Sequence, residues 1–158
     1  MAKIKVGVAG YGTIGMRLAD GVAMQGDMEL VGIADLAPTL SLRALKENDM
    51  IGANGVEYKL YLVDGADKAA FDAADIPVAG SFEELCKEVD IMLDSSPAGI
   101  GSKNKEKYYE KYGVKANFQG GEKNSVADVF FHGYANFEQG VNKNYLKLTS
   151  CNTTGLIR

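Results

Sequence analysis

The chain has 158 residues, a length that fits one domain of ordinary size. Hydrophobic residues make up 46% and charged residues 24%, a globular composition with material for a real core. A formal charge of −4 and a pI near 5.0 argue against a general nucleic-acid role, and no apolar run approaches the ~18 residues of a membrane helix.

The elements follow one another as short apolar runs alternating with helical patterns. Lys3–Ala9 reads as a buried strand, and its start is too short and glycine-rich for a signal peptide. Apolar residues at 14, 18, 22 and 24 predict a helix over Ile14–Gln25. Leu30–Ala34 is a second strand, and Thr39 caps a predicted helix over Leu40–Asn48. Asp49–Val63 opens irregularly, then "EYKLYLV" alternates like a strand with one polar face. Val78–Ala79 is a short strand candidate, and Ser81 with Glu84 forms a capping box before "FEELCKEV". Asp90–Asp94 is another buried strand, followed by a lysine-rich helix over Gly101–Tyr112 that Gly113 stops. Strands over Val114–Phe118, Val129–Tyr134 and Tyr145–Thr149 complete the series. Strand–helix repetition with buried strands predicts an α/β fold, a doubly wound and mostly parallel, Rossmann-like sheet with right-handed crossovers.

Gly10, Gly12 and Gly15 form G-x-G-x-x-G between the first strand and the first helix, the context this fingerprint requires. Gly10 allows the tight turn, Gly12 lets backbone approach a pyrophosphate, and Gly15 lets the helix pack on the strand. The helix start offers free N–H groups and a partial positive charge to the phosphates. Asp35 closes the second strand, ~20 residues further on, where a carboxylate accepts adenosine ribose hydroxyls and repels a 2′-phosphate. The cofactor preference read from it is NAD over NADP; as a plain turn acid it would carry no such meaning. Ser95–Gly101 ("SSPAGIG") and Gln119–Gly121 ("QGG") fall at two more strand ends and are small enough to meet a cofactor, or to be simple turns.

Two cysteines give no disulfide framework, so a reducing, cytoplasmic setting is the default. Cys151 follows the last strand, and Asn152, Thr153 and Thr154 suit the opening of a helix whose dipole favours a thiolate. A thiolate beside a nicotinamide points to aldehyde oxidation, in which the thiol adds to the carbonyl, hydride leaves, and a thioester awaits a second nucleophile. Cys86 lies inside an amphipathic helix and reads as a packing residue. The chemistry also needs a base, and the one histidine, His132 in "VFFHGY", reads as structural.

Three segments together closely resemble archaeal-type (class II) glyceraldehyde-3-phosphate dehydrogenase, over Ile4 to Arg158. They are "VGVAGYGTIGMRLAD", Asp94 with the "SSPAGIGSKNKEKYYEKYGVKANFQGGEK" that follows it, and "SCNTTGLIR". The resemblance implies phosphorylating oxidation of glyceraldehyde 3-phosphate to 1,3-bisphosphoglycerate, with inorganic phosphate attacking the thioester. It makes Cys151 the nucleophile and Ser150 and Asn152 its substrate-contacting neighbours. It places Thr13, Ile14 and Gly121 against the dinucleotide. It also implies a cytoplasmic homotetramer of glycolysis and gluconeogenesis, with no nucleic acid or membrane as partner. On this resemblance residues 1–158 form the NAD(P)-binding domain up to the start of the nucleophile helix, without the catalytic domain that carries the base and the phosphate sites. The isolated chain is then expected to be inactive.

The chain departs from the family pattern at three places. Ala9 stands where Asn is usual before the first glycine. Asp35 and Leu36 stand where many members have Lys-Thr, which supports NAD, although members often accept both cofactors. Asp49–Glu57 ("DMIGANGVE") reads as an insertion forming a surface loop or hairpin. Two other readings stand beside this one: a nucleotide-binding or regulatory module without chemistry, and a reductase of the aspartate-semialdehyde type, whose cysteine surroundings differ from "SCNTTG".

Overall fold

The computed structural model describes residues 2–119 and 121–157. Met1, Gly120 of "QGG" and Arg158 of "SCNTTGLIR" lie outside them.

Eight strands form one sheet in the order β4-β3-β2-β1-β5-β6-β8-β7. They are β1 Ile4–Ala9, β2 Met28–Asp35, β3 Leu60–Leu62, β4 Gly80–Ser81, β5 Ile91–Asp94, β6 Lys115–Phe118, β7 Val129–Phe131 and β8 Tyr145–Leu148. Every pairing is parallel. From β1 the chain winds outward through β2, β3 and β4, then returns to the other side of β1 as β5 and continues to β6. The winding direction therefore reverses between β1 and β5, and all strands end on one edge of the sheet.

Both faces of the sheet are covered, as all-parallel sheets require. Successive residues of a strand point to opposite faces. Val8, Ile33 and Leu60 accordingly enter one core with Ala19, Val22, Leu42, Leu45 and Phe71. Their neighbours Ala9, Ala34 and Tyr61 enter a second core with Phe82, Leu85, Tyr109 and Phe118. The first core is roofed by α1 Thr13–Ala23, α2 Leu40–Glu47 and α3 Lys68–Ala73. The second is roofed by α4 Phe82–Glu88 and by a continuous helical run. That run comprises α5 Ile100–Asn104, a π-helical turn over Lys105–Tyr109, and α6 Glu110–Tyr112. Each large apolar side chain so covered contributes about 1.5–3 kcal/mol relative to exposure.

Local chemistry sets several boundaries. The Thr39 hydroxyl accepts from the Leu42 N–H to start α2, and the Asp67 carboxylate accepts from the Ala69 N–H to start α3. Ser81 and Glu84 form the reciprocal capping box of α4. Two short helices complete the chain, α7 Phe137–Gly140 and α8 Cys151–Ile157.

Three strand expectations are corrected here. Only Leu60–Leu62 of "EYKLYLV" joins the sheet, because Glu57 pairs antiparallel with Ile51 and the Tyr58 N–H donates to the Met50 carbonyl. Exposed Glu57 and Lys59 alternate with buried Tyr58 and Leu60 as expected, and the alternation ends at Tyr61, which is buried too. The strand placed at Val78–Ala79 lies at Gly80–Ser81, and the strand placed over Val129–Tyr134 stops at Phe131. Helices α3 and α7 have no counterpart in the sequence reading. The segment Asp49–Glu57 is a small hairpin, one of the two forms expected of it.

Candidate functional site

The turn between β1 and α1 lies at the C-terminal end of the central strand, beside the reversal of winding. Gly10 has φ +82°, a left-handed conformation that favours glycine, and its N–H donates to the Ala34 carbonyl at 2.8 Å. A Cβ at Gly15 would fall 1.8 Å from the Gly10 carbonyl oxygen, so helix and turn can touch only through glycine. A Cβ at Gly12 would meet nothing within 4 Å. Open space therefore borders Gly12, the residue that caps α1 with no side-chain hydrogen bond. The first N–H groups of a helix have no intrahelical acceptor, which leaves those of Thr13 and Ile14 beside that space. This is the geometry that an anionic ligand needs.

Two flanking residues hold the turn. On the β2 side, Asp35 accepts the Tyr11 N–H at 2.8 Å and the Leu36 N–H at 2.7 Å. On the β5 side, the Ser95 hydroxyl lies 2.9 Å from the Ala9 carbonyl oxygen and 2.7 Å from that of Gly10. The Ser95 N–H also donates to the Ala9 carbonyl at 2.8 Å, and the preceding Asp94 is a buried carboxylate that accepts from the Ser96 N–H, the Asn104 amide and the Tyr109 hydroxyl. The π-helical turn puts Asn104 and Tyr109 on that one carboxylate. Burial, first of all, and the Asp94 charge push the Tyr109 hydroxyl's pKa well above the ordinary tyrosine value, so it stays a donor.

A cleft of about 580 Å³ lies between the helical run from α5 to α6 and residues 121–126, with Ala98, Gly99 and Gly121 at one end and Lys105, Glu110 and Val126 further down the helix. A Cβ at Gly121 would sit 3.3 Å from the Ala98 Cβ, so the "SSPAGIG" and "QGG" segments meet. Glu122 accepts the Gly101 N–H at 2.8 Å and holds the start of α5 against this crevice. Lys147 on β8 is buried, with its ammonium donating to the Leu148 carbonyl at 2.9 Å. Burial lowers its pKa, with Glu122 pulling the other way.

Cys151 opens α8 just after β8 and is exposed. Three strand spacings separate β8 from β1, about 14 Å at ~4.8 Å each. The Cys151 thiol lies 3.9 Å from the Asn152 side-chain oxygen. Ser150 is the cap of this short helix: its hydroxyl accepts the Thr153 N–H at 3.2 Å. Among the described residues no histidine or carboxylate is hydrogen-bonded to the Cys151 thiol. His132 holds a turn, with Nδ1 accepting the Tyr134 N–H and its own backbone N–H donating to Asn136. Cys86 is buried in the second core, which pushes its thiol up to about 12.

The structure thus gathers Gly10, Gly12, Thr13, Ile14, Gly15 and Asp35 at one point, with Gly121 along the same edge and Ser150, Cys151 and Asn152 further out. Tyr11, Asp94 and Glu122 escape the sequence reading as site residues, and Ser95 enters it only as the first residue of "SSPAGIG", without its bonds to the glycine turn. Only the place of Asp94 at a strand end signals it.

The fold and the glycine turn define a Rossmann-type α/β domain of the kind found in dehydrogenases. Two solved structures share the fold at TM-score 0.50. One is apo scyllo-inositol dehydrogenase from Lactobacillus casei, 16% identical, covering 92% of this chain and 36% of that one. The other is GenD2 from gentamicin A biosynthesis in complex with NAD, 14% identical, covering 94% and 34%. No family model matches the chain. By sequence the chain is a homologue of part of archaeal glyceraldehyde-3-phosphate dehydrogenase. It is 45% identical to that enzyme of Archaeoglobus fulgidus over 158 residues, 100% of this chain and 44% of the relative. It is 44% identical to that of Sulfolobus acidocaldarius over 159 residues, 100% of this chain and 43% of the relative. It is 46% identical to that of Pyrobaculum islandicum over 155 residues, 98% of this chain and 42% of the relative. The chain therefore spans less than half the length of these relatives.

Proposed function

We propose that the chain binds a nicotinamide dinucleotide along the C-terminal edge of its sheet, as the cofactor-binding part of a phosphorylating glyceraldehyde-3-phosphate dehydrogenase. The observation that carries this reading is the 45% identity to an archaeal enzyme of that name over 100% of the chain. The glycine turn supports it: space opens at Gly12, the residue that caps α1, and the first N–H groups of the helix have no acceptor within it.

In this reading the pyrophosphate rests on Gly12, Thr13 and Ile14, with Gly10 and Gly15 shaping the turn. Asp35 faces the adenosine ribose, and its negative charge favours NAD over NADP. Gly121 borders the nicotinamide half of the crevice. A bound nicotinamide supplies the hydride acceptor. Cys151 is the nucleophile toward the aldehyde carbon of glyceraldehyde 3-phosphate, flanked by Ser150 and Asn152. Inorganic phosphate then releases the acyl group from sulfur as 1,3-bisphosphoglycerate. The full-length enzyme works as a cytoplasmic homo-oligomer; among the described residues no helix is long and apolar enough to cross a membrane.

Alkylation tests the cysteine assignment. Iodoacetamide is expected to modify exposed Cys151 and spare Cys86, whose thiol is buried and pushed up to about 12, and bound NAD is expected to slow the reaction. Equal labelling of both, or no effect of NAD, contradicts the assignment. These 158 residues alone are expected to give negligible NAD reduction with glyceraldehyde 3-phosphate and phosphate, since no base is bonded to the Cys151 thiol among the described residues. Turnover at a rate usual for enzymes, on the order of 10 per second, contradicts that expectation.

A further inference from the structure

We infer that Asp35 does more than face the ribose. Its carboxylate is the clasp that gives the glycine-rich turn its ligand-ready shape, so ribose selection and phosphate binding depend on one side chain. This rests on the proposed dinucleotide site and deepens it.

Both carboxylate oxygens are engaged by backbone. Oδ2 accepts the Tyr11 N–H at 2.8 Å, across 24 residues of chain, and Oδ1 accepts the Leu36 N–H at 2.7 Å. The Tyr11 N–H belongs to the peptide that joins Gly10 to Tyr11, so this bond sets the orientation of that peptide, just before Gly12. One other side chain acts on that peptide: the Ser95 hydroxyl lies 2.7 Å from the Gly10 carbonyl oxygen at its other end. Gly10 and Gly12 bring no side chain, and α1 has no side-chain cap. The Tyr11 ring is buried against Tyr58, edge to face at 6.4 Å, which fixes the residue's position but not its N–H direction. The opposite side is held at carbonyls, by Ser95 on Ala9 and Gly10. Asp35 therefore supplies the acceptor on the amide side and Ser95 the donor on the carbonyl side. With the Tyr11 N–H committed to Asp35, the N–H groups left for a phosphate are those that open α1.

The consequence concerns cofactor selection. If Asp35 only read the ribose, removing its side chain would relieve repulsion of a 2′-phosphate and improve NADP binding whatever replaced it. As a clasp, its replacement matters by whether an acceptor survives. Asp35→Asn removes the charge but keeps one oxygen for the Tyr11 N–H. Asp35→Ala removes both.

The test is calorimetric titration of wild type, Asp35→Asn and Asp35→Ala with NADP and NAD, together with hydrogen exchange at the Tyr11 amide. The expected result is that Asp35→Asn binds NADP at least tenfold more tightly than Asp35→Ala. The Tyr11 amide is expected to be protected in wild type and Asp35→Asn and to exchange at least tenfold faster in Asp35→Ala. NADP affinity in Asp35→Ala equal to or above that in Asp35→Asn overturns the inference. If Asp35→Ala does not fold, the wild-type measurement decides: a Tyr11 amide exchanging at the unprotected rate overturns the clasp. Wild-type protein that binds neither dinucleotide refutes the proposed site, whereas the exchange result still reports on the clasp.

Discussion

At Gly15 one added carbon would lie 1.8 Å from the Gly10 carbonyl oxygen, whereas at Gly12 it would meet nothing within 4 Å. The two positions separate packing from binding. Gly15→Ala forces helix and turn apart and is expected to cost at least about 1–3 kcal/mol in a urea titration, the scale of overpacking a well-filled site. Gly12→Ala is expected to change stability by less than about 1 kcal/mol. It should nevertheless weaken dinucleotide binding at least tenfold, because the methyl group occupies the approach to the helix N-terminus. Equal stability losses for the two variants would show that the fingerprint glycines are kept for packing alone. The cysteines divide in the same way. Cys86 is buried in the second core, and Cys151 opens α8 beside the proposed crevice.

At the scale of elements, helix ends and cross-links carry the arrangement. Glu83 on α4 accepts from the Tyr112 hydroxyl and the Lys111 ammonium of α6. The Tyr112 hydrogen bond is the main cause that holds its pKa at about 2 instead of the ordinary 4.5. A depressed carboxylate stabilises the fold above its unfolded pKa and loses that contribution as pH falls through the folded one. The stability gap between wild type and Tyr112→Phe is therefore expected to be present at pH 7 and to close as pH falls from 4.5 toward about 2. A gap that widens on acidification would contradict this. Tyr58 makes a comparable link from the 49–57 hairpin to α1: its hydroxyl donates to Asp20 at 2.9 Å and accepts the Ala53 N–H at 3.1 Å. Tyr58→Phe leaves both groups without that partner and is expected to cost about 1–3 kcal/mol by urea unfolding.

The elements also show what a sequence can carry. Strands β1, β2, β5 and β6 are legible because they lie inside the sheet and their runs are largely apolar. The capping box at Ser81 and Glu84 is legible because it is a purely local pattern. In "EYKLYLV" the alternation misleads, since Tyr58 is claimed by the hairpin and Tyr61 by the second core, which no local pattern reveals. The glycines of the site are legible for the same local reason as the box. Asp94 and Glu122 are not, nor are the bonds that Ser95 makes to the turn, because the partners lie on other elements.

For the whole molecule, an all-parallel sheet puts every strand end on one edge, and the reversal between β1 and β5 opens a crevice there. By strand order the glycine turn after β1, the segments that follow β5 and β6, and Cys151 after β8 succeed one another along the edge. An extended dinucleotide has its pyrophosphate in the middle and its nicotinamide at one end, which matches a ligand running from β2 toward β8. The chain spans 44% of its Archaeoglobus fulgidus relative, and the proposed role of these residues is to hold the cofactor along that edge. Calorimetric titration of the 158-residue chain with NAD and NADP measures this most directly. Saturable one-to-one binding of NAD, tighter than that of NADP, is the expected result; binding of neither, or NADP held more tightly, would contradict it.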